Sequence, residues 1–400
     1  MTSPSHEPGP DIKPEPPGMP GALKEVAIIA VALSALLAGL IAWSRSGPGP
    51  VGPGAARPSA DPKGPVASLF AGDRACETCH PGEAASHRQS GHSQTLHRAA
   101  DRAKLLDGRA VADEEFDATW DYSLRDGTLT ARRTEADQGV DYILDYAFGS
   151  GHHATTFVGM TDRTPSDAAL LEHRMTYFAR DGSLHTTPGQ AKDATLDRHE
   201  LSPAGRAHGV GKTLECFECH STLLSEDGGR VLDLATMVPN ISCERCHGPG
   251  RDHIKDARNG VIGLRMPFGA GREPAERQMR LCGQCHRHPD MAPAGSIHPA
   301  NLEIVRYQPV GLMQSKCYTR TPGGISCTTC HDPHASVSAD SKSYEASCLD
   351  CHSDRPQVLC PVSPTSGCIS CHMPARDAGQ EVMFHDHWIR ARPASPTGAD

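Results

Sequence analysis

Seven times the chain sets two cysteines three positions apart with a histidine directly after the second. The motifs are Cys76, Cys79, His80; Cys216, Cys219, His220; Cys243, Cys246, His247; Cys282, Cys285, His286; Cys327, Cys330, His331; Cys348, Cys351, His352; and Cys368, Cys371, His372. They use fourteen of the sixteen cysteines, where chance at this composition would give about 0.04 copies, so the pattern demands a chemical reason. Two thiols at this spacing can add to both vinyl groups on one edge of a porphyrin, and the adjacent imidazole then reaches the iron from one face. Zinc needs four ligands from two such units; seven is an odd number, and zinc has no use for a histidine after every second cysteine. A thioredoxin-like redox pair would not recur seven times either. The spacing therefore points to seven covalently bound haem c groups, with the seven motif histidines as proximal iron ligands.

Sixteen further histidines remain, enough to give most irons a second imidazole and hence low potentials compared with Met/His ligation. His334 follows His331 by three residues, so both rings project from one side of a turn and cannot reach opposite faces of one porphyrin. His334 is accordingly expected on a neighbouring haem, as is His253, which follows His247 after a Gly-Pro-Gly bend. The other candidates for the distal position are His92, His153 (or its neighbour His152), His288 or His298, and His385 or His387. Cys317 and Cys360 are left over and form a candidate disulfide.

The elements that must hold these groups look sparse. Hydrophobic residues are 38% and aromatics 4% of 400 residues, with 39 Gly and 33 Pro, which predicts long loops and little side-chain core. The expected fold is a mainly α/irregular multihaem cytochrome with haems as its interior, a small β-rich insertion and an N-terminal single transmembrane helix. Residues 26–43, "VAIIAVALSALLAGLIAW", are an uncharged run of eighteen, preceded by a Pro-rich head rather than the short basic start of a cleaved signal. The expected organisation is a cytoplasmic head (1–25), a membrane anchor (26–43), a Pro/Gly-rich linker (44–66), a first haem segment (67–100), a β-rich insertion (101–210) and a six-motif region (211–400). Haem is attached outside the cytoplasm, so the expected placement is single-pass in a bacterial inner membrane with the C-terminal haem region in the periplasm. Within 101–210, "ATWDYSLRDGTLTARRT" and "HRMTYFARDGSLHTT" read as hairpins around Arg-Asp-Gly. Arg245, Arg251, Arg287, Arg320 and Arg376 lie near the motifs and are candidates to neutralise haem propionates. A net charge of −9 without a basic stretch excludes nucleic acid as a partner, and with added propionates it suits a basic redox partner of the respiratory chain.

On these motifs the chain resembles the multihaem c-type cytochromes related to the tetrahaem cytochrome of ammonia oxidisers, above all the doubled CxxCH cytochromes. The matching stretches are "CETCHPGEAASHRQSGHSQT", "FGSGHHATTF", "ISCERCHGPGRDH", "ISCTTCHDPHAS" and "SGCISCHMPARD…FHDHW". The resemblance implies an electron carrier or the haem subunit of a redox complex, with His92, His153, His253, His334 and His387 as distal ligands. Where relatives have an aromatic-rich segment, this chain has the polar "TTPGQAKDATLDRHELSPAGRAHG", and it has no Cys-x-x-Cys-Lys motif. The leading expectation is a membrane-anchored periplasmic heptahaem cytochrome passing electrons between respiratory partners. The alternative is a multihaem oxidoreductase acting on a small nitrogen or sulfur compound at a five-coordinate haem. On either reading, the chain without haem is expected to be unfolded.

Overall fold

The computed structural model describes residues 66–191, 201–261, 266–268, 273–354, 359–377 and 382–391. All of these belong to one compact unit, Pro58–Asp400. Its first half is built of strands. They are β1 (Leu96–Arg98), β2 (Ala110–Asp113), β3 (Ala118–Arg125), β4 (Thr128–Glu135), β5 (Gln138–Leu144), β6 (Tyr146–Phe148), β7 (Ala154–Asp162), β8 (Ala169–Phe178), β9 (Ser183–Thr186), β10 (Leu201–Ser202) and β11 (Gly205–His208). β2 to β5 form an antiparallel meander, and the other seven make a second antiparallel sheet in the order β1-β6-β7-β8-β11-β10, with β9 also paired to β8. In β3, Ala118, Trp120 and Tyr122 are buried while Thr119 and Asp121 are exposed, the period-two pattern of a half-buried strand. β3 turns into β4 through Asp126 (φ 50°) and Gly127 (φ 75°), the pair of left-handed conformations that a two-residue hairpin requires.

Two side-chain cores follow from this alternation. One gathers Trp120, Tyr122, Leu129, Ala131 and Leu144 of the meander with Phe157, Met175 and Leu184 of the larger sheet. The other packs Leu96, Tyr146, Val158 and Leu170 of that sheet against Leu214 and Phe217. Those last two residues lie on the helix Val210–His220, which ends on the second Cys-x-x-Cys-His motif. The β region is thus the platform on which that motif stands.

Two buried polar side chains inside the β region, Arg174 and His173, are partnered. Arg174 is fully buried and reaches Asp113 (Nε to Oδ2, 3.0 Å), the Glu115 carboxylate and the Gln190 carbonyl. His173 bonds through Nε2 to the Tyr122 hydroxyl (2.9 Å) and meets the Trp120 ring edge-on at 4.6 Å. Burial pushes the His173 pKa down to about 3. The unfolded chain would bind a proton there near pH 6.5 while the folded chain would not, so this group makes folding less favourable as pH falls from about 6.5 toward 3. The expected slope is about 1.4 kcal/mol per pH unit within that window, lost in His173→Gln. Urea unfolding of both proteins between pH 4 and 7 checks this; equal slopes would contradict it.

Beyond Ile241 the chain changes character. The helices Cys243–His247, Arg251–Arg258, Ala275–His286, Gln308–Gln314, Lys316–Arg320, Ser341–His352 and Cys368–His372 are short and joined by loops. Two small hairpins accompany them, β12 (Ser221–Leu223) with β13 (Val238–Pro239) and β14 (Ala375–Asp377) with β15 (Met383–His385).

The expected fold class is therefore corrected. The structure is not a mainly α/irregular chain with haems for its core. It holds several β-sheets, and its two apolar cores are made of side chains between Leu96 and Met237. Composition concealed this, because that stretch is no richer in apolar residues than the chain as a whole; ten of the eighteen aromatic residues lie in it, and strand alternation brings its apolar side chains to one face. The membrane anchor is corrected as well. No helix among the described residues is long and apolar enough to cross a membrane. The longest here have 12 residues, about 18 Å against the roughly 30 Å of a hydrocarbon core. The apolar run 26–43 lies outside the described residues. Neither the single-span membrane partner nor the inner-membrane and periplasmic placement is retained.

Candidate functional site

Most motifs ride on a helical turn, which brings positions three apart to one side. The helices Val210–His220, Cys243–His247, Ala275–His286, Ser341–His352 and Cys368–His372 each end on a motif histidine. The fifth motif lies on the 3-10 turn Cys327–Thr329, closed by a reciprocal capping box between Ser326 and Thr329.

Four motif histidines each face an imidazole from elsewhere in the chain. Ring centres are 6.5 Å apart for His80 and His253, 6.2 Å for His286 and His92, 5.9 Å for His247 and His334, and 6.3 Å for His331 and His387. A metal–imidazole bond is about 2 Å and the ring centre lies about 1 Å further, so two imidazoles on opposite sides of one metal sit about 6 Å apart. None of the four pairs joins a motif histidine to the next histidine in its own segment: His253 faces the first motif, not the third, and His334 the third, not the fifth. Gly311 permits one pair, since a Cβ there would lie 2.7 Å from the backbone nitrogen of Trp388, beside His387.

The ring nitrogens are prepared for a metal. Nδ1 of His220 donates to the Thr95 carbonyl (2.9 Å), of His247 to Phe268 (2.6 Å), of His372 to Arg390 (3.1 Å) and of His387 to His385 (2.9 Å). A carbonyl only accepts, so each bond places the proton on Nδ1 and leaves Nε2 as the ligand atom. His253 and His288 each bury a ring nitrogen without a protein partner, as a metal ligand would. Burial holds His220, His286 and His331 below the usual imidazole range and His387 down to about 4, keeping them neutral and fit to ligate. By these tests the residues present fit a bis-imidazole haem iron.

The cysteine sulfurs, free thiols here, stand for the thioethers of attached haem, so their contacts reveal which motifs adjoin. The thiols of Cys76 and Cys243, Cys219 and Cys285, Cys282 and Cys327, and Cys348 and Cys368 lie near enough to perturb one another's ionisation. Backbone and side-chain bonds reinforce the same neighbours. The Cys243 N–H donates to Asp73 (3.0 Å), the Thr328 hydroxyl to Gln278 (2.7 Å), the Ser347 hydroxyl to the Thr329 carbonyl (3.1 Å), and the Gly367 and Ile369 N–H groups to Glu345 (3.2 and 3.4 Å). Arg245 of the third motif reaches the Glu218 carbonyl of the second (3.3 Å) and lowers the Cys285 thiol of the fourth, after the larger effect of Cys219. Burial pushes Cys216 and Cys246 up to about 11. The spatial series runs first, third, fourth, fifth, sixth, seventh, with the second motif beside the fourth.

Other expected site residues stand elsewhere. His153 lies 6.3 Å from the Phe384 ring, His288 holds Asp290 at 3.1 Å, and His385 donates to the Met373 carbonyl (2.8 Å). His298 lines a cavity with Arg376, Trp388 and Arg390. Cys317 and Cys360 are both free thiols. Asp73, His87 and Cys243 bring ligand atoms within 4.8 Å of one another, but the Cys243 sulfur belongs to a motif. The carboxylates Asp73, Glu244 and Glu345 were not legible as site residues. The one available signal was a glutamate placed inside the motif Cys243–His247.

The sequence profile of the family described as "Cytochrome c554 and c-prime" matches residues 180–248, which include the second and third motifs. No curated protein matches the chain. Among solved structures it is similar to "Outer Cell Wall Cytochrome OcwA", at 16% identity, 80% coverage of each chain and a TM-score of 0.45, too loose a likeness to build on. What the profile match supports, together with motifs that suit covalent haem, is a c-type cytochrome, a haem protein of electron transfer.

Proposed function

We propose that the chain is a heptahaem electron carrier, related to the doubled CxxCH cytochromes, in which four irons lie between the imidazole pairs His80/His253, His286/His92, His247/His334 and His331/His387. The observation that carries this reading is the repeated ring separation of 5.9 to 6.5 Å. Haem, when bound, supplies a one-electron couple at the iron, and bis-imidazole ligation places it at low potential. The chain's own residues hold the imidazoles, fix their tautomers and set the order of the centres. Exposed attachment cysteines stand at the two ends of the spatial series, Cys79 in the first motif and Cys351 and Cys371 in the last two, with Cys330 alone exposed between. Electrons would enter at one end and leave at the other. EPR of the oxidised protein is expected to show low-spin ferric haem at these four centres, and His334→Ala to convert one low-spin centre to high-spin. A spectrum unchanged by that substitution would contradict the pairing.

One observation favours a second reading. Among the described residues His220 faces no imidazole; the Phe148 ring packs edge-on against it at 5.0 Å. A five-coordinate iron there would suit an oxidoreductase acting on a small nitrogen or sulfur compound. Carbon monoxide added to the reduced protein separates the two: uptake by one haem supports the enzyme, and no spectral change leaves the carrier.

A further inference from the structure

We infer that Glu244 is the positioning residue of the first haem, holding with one carboxylate both chain segments that would flank its iron. This rests on the imidazole pairing proposed above. Glu244 is 3% exposed. Its Oε1 accepts from the Ala71 N–H (2.8 Å) and the Gly250 N–H (2.7 Å), and its Oε2 from the Gly72 N–H (2.8 Å). Ala71 and Gly72 lead directly into the helix Asp73–Glu77 and so to Cys76, Cys79 and His80. Gly250 opens the helix Arg251–Arg258, which carries His253. The rings of His80 and His253 face each other with planes 28° apart. The same two oxygens therefore anchor the approach to the proximal imidazole and the approach to the distal one.

The surroundings lock this arrangement. Gly72 has φ 79°, a conformation in which an L side chain would be strained, and it is there that the chain turns its N–H onto Oε2. Asp73 returns a bond to the third motif by accepting from the Cys243 N–H (3.0 Å), and Arg251 donates to the Phe70 carbonyl (3.1 Å). Only a carboxylate of this length suits the site. Aspartate falls short by a methylene, and glutamine would turn an NH2 group toward one of the three N–H donors. The buried negative charge between two attachment sites also favours the oxidised form of a nearby iron. Glu345 ties the sixth and seventh motifs through longer bonds (3.2 and 3.4 Å) and holds no segment bearing a paired imidazole, so it serves as an internal comparison.

The test uses the full haem-loaded protein. His253→Ala first identifies the first haem, as the low-spin EPR signal that is replaced by high-spin ferric iron. Absence of that exchange would count against the pairing itself and leave no first-haem signal to follow. Given the exchange, E244D is expected to shift and broaden that signal and to leave every haem beyond the first and third as in the parent. E244Q is expected to raise the midpoint potential of that haem, and of no other except the third, whose motif contains Glu244, with all haems still attached by mass and the E345Q spectrum at the first haem unchanged. Should E244Q fail to accumulate, D73N is the milder probe and is expected to move the same signal. The inference is overturned if these variants leave the first haem's g values and potential as in the parent, or if they shift all haems alike.

Discussion

Chain made without its haem-attachment machinery is expected to be half folded. The two apolar cores are composed of side chains between Leu96 and Met237, and each large side chain fully buried there contributes about 1.5–3 kcal/mol. Beyond Ile241 the buried apolar side chains among the described residues are Ala275, Met279, Ile304, Val305, Val310 and Leu312, which form no comparable cluster. Short helices ending on attachment motifs cannot hold themselves together in water, because helices below about 12–15 residues are marginal alone. Limited proteolysis with mass mapping should leave a resistant fragment spanning about β1 to the helix Val210–His220, while residues after 241 are digested. Even digestion of the whole chain would return to the expectation drawn from composition; even protection would mean that haem is not needed for the second half either.

Removing the fourth attachment site should slow electron passage along the molecule. The Cys285 thiol perturbs that of Cys219 of the second motif and Cys282 that of Cys327 of the fifth, while both act on Cys246 of the third. The fourth site thus adjoins the second, third and fifth motifs, while His334, beside the fifth motif, also reaches His247 of the third. Cys360 offers a handle, since its thiol is not buried and neighbours Cys368 of the seventh motif. With a photosensitiser on Cys360, repeated flashes of the parent should quickly reduce all seven haems implied by the seven motifs. In the C282A/C285A variant the haems of the fifth, sixth and seventh motifs should still fill in the fast phase, and those of the first three motifs should fill more slowly than in the parent. Filling of all six remaining haems at the parent's rate would contradict a through role for the fourth site.

The attachment motifs could be read directly because their chemistry is local: five consecutive residues carry it. The hairpins at Arg125–Asp126–Gly127 and Arg180–Asp181–Gly182 were legible for a similar reason, since the turn residues and the flanking strands lie side by side. His334 and His253 were assigned to neighbouring haems by a short-range argument about helical faces, and the structure sets their rings opposite His247 and His80. What could not be read was long-range. Nothing near His92 indicates His286, 194 positions later, and nothing in "CERCH" indicates that its glutamate reaches Ala71, 173 positions earlier. The fold class failed for a different reason, because apolar content says nothing about the order of the residues, and in β3 and β4 it is the alternation that builds a core.

The account stands most directly on covalent haem at every Cys-x-x-Cys-His motif. Peptide mapping by mass spectrometry of protein made with the attachment machinery should find a haem addition on each of the seven motif peptides and none on those containing Cys317 or Cys360. Motif peptides recovered with unmodified thiols, or holding zinc in the native mass, would contradict it.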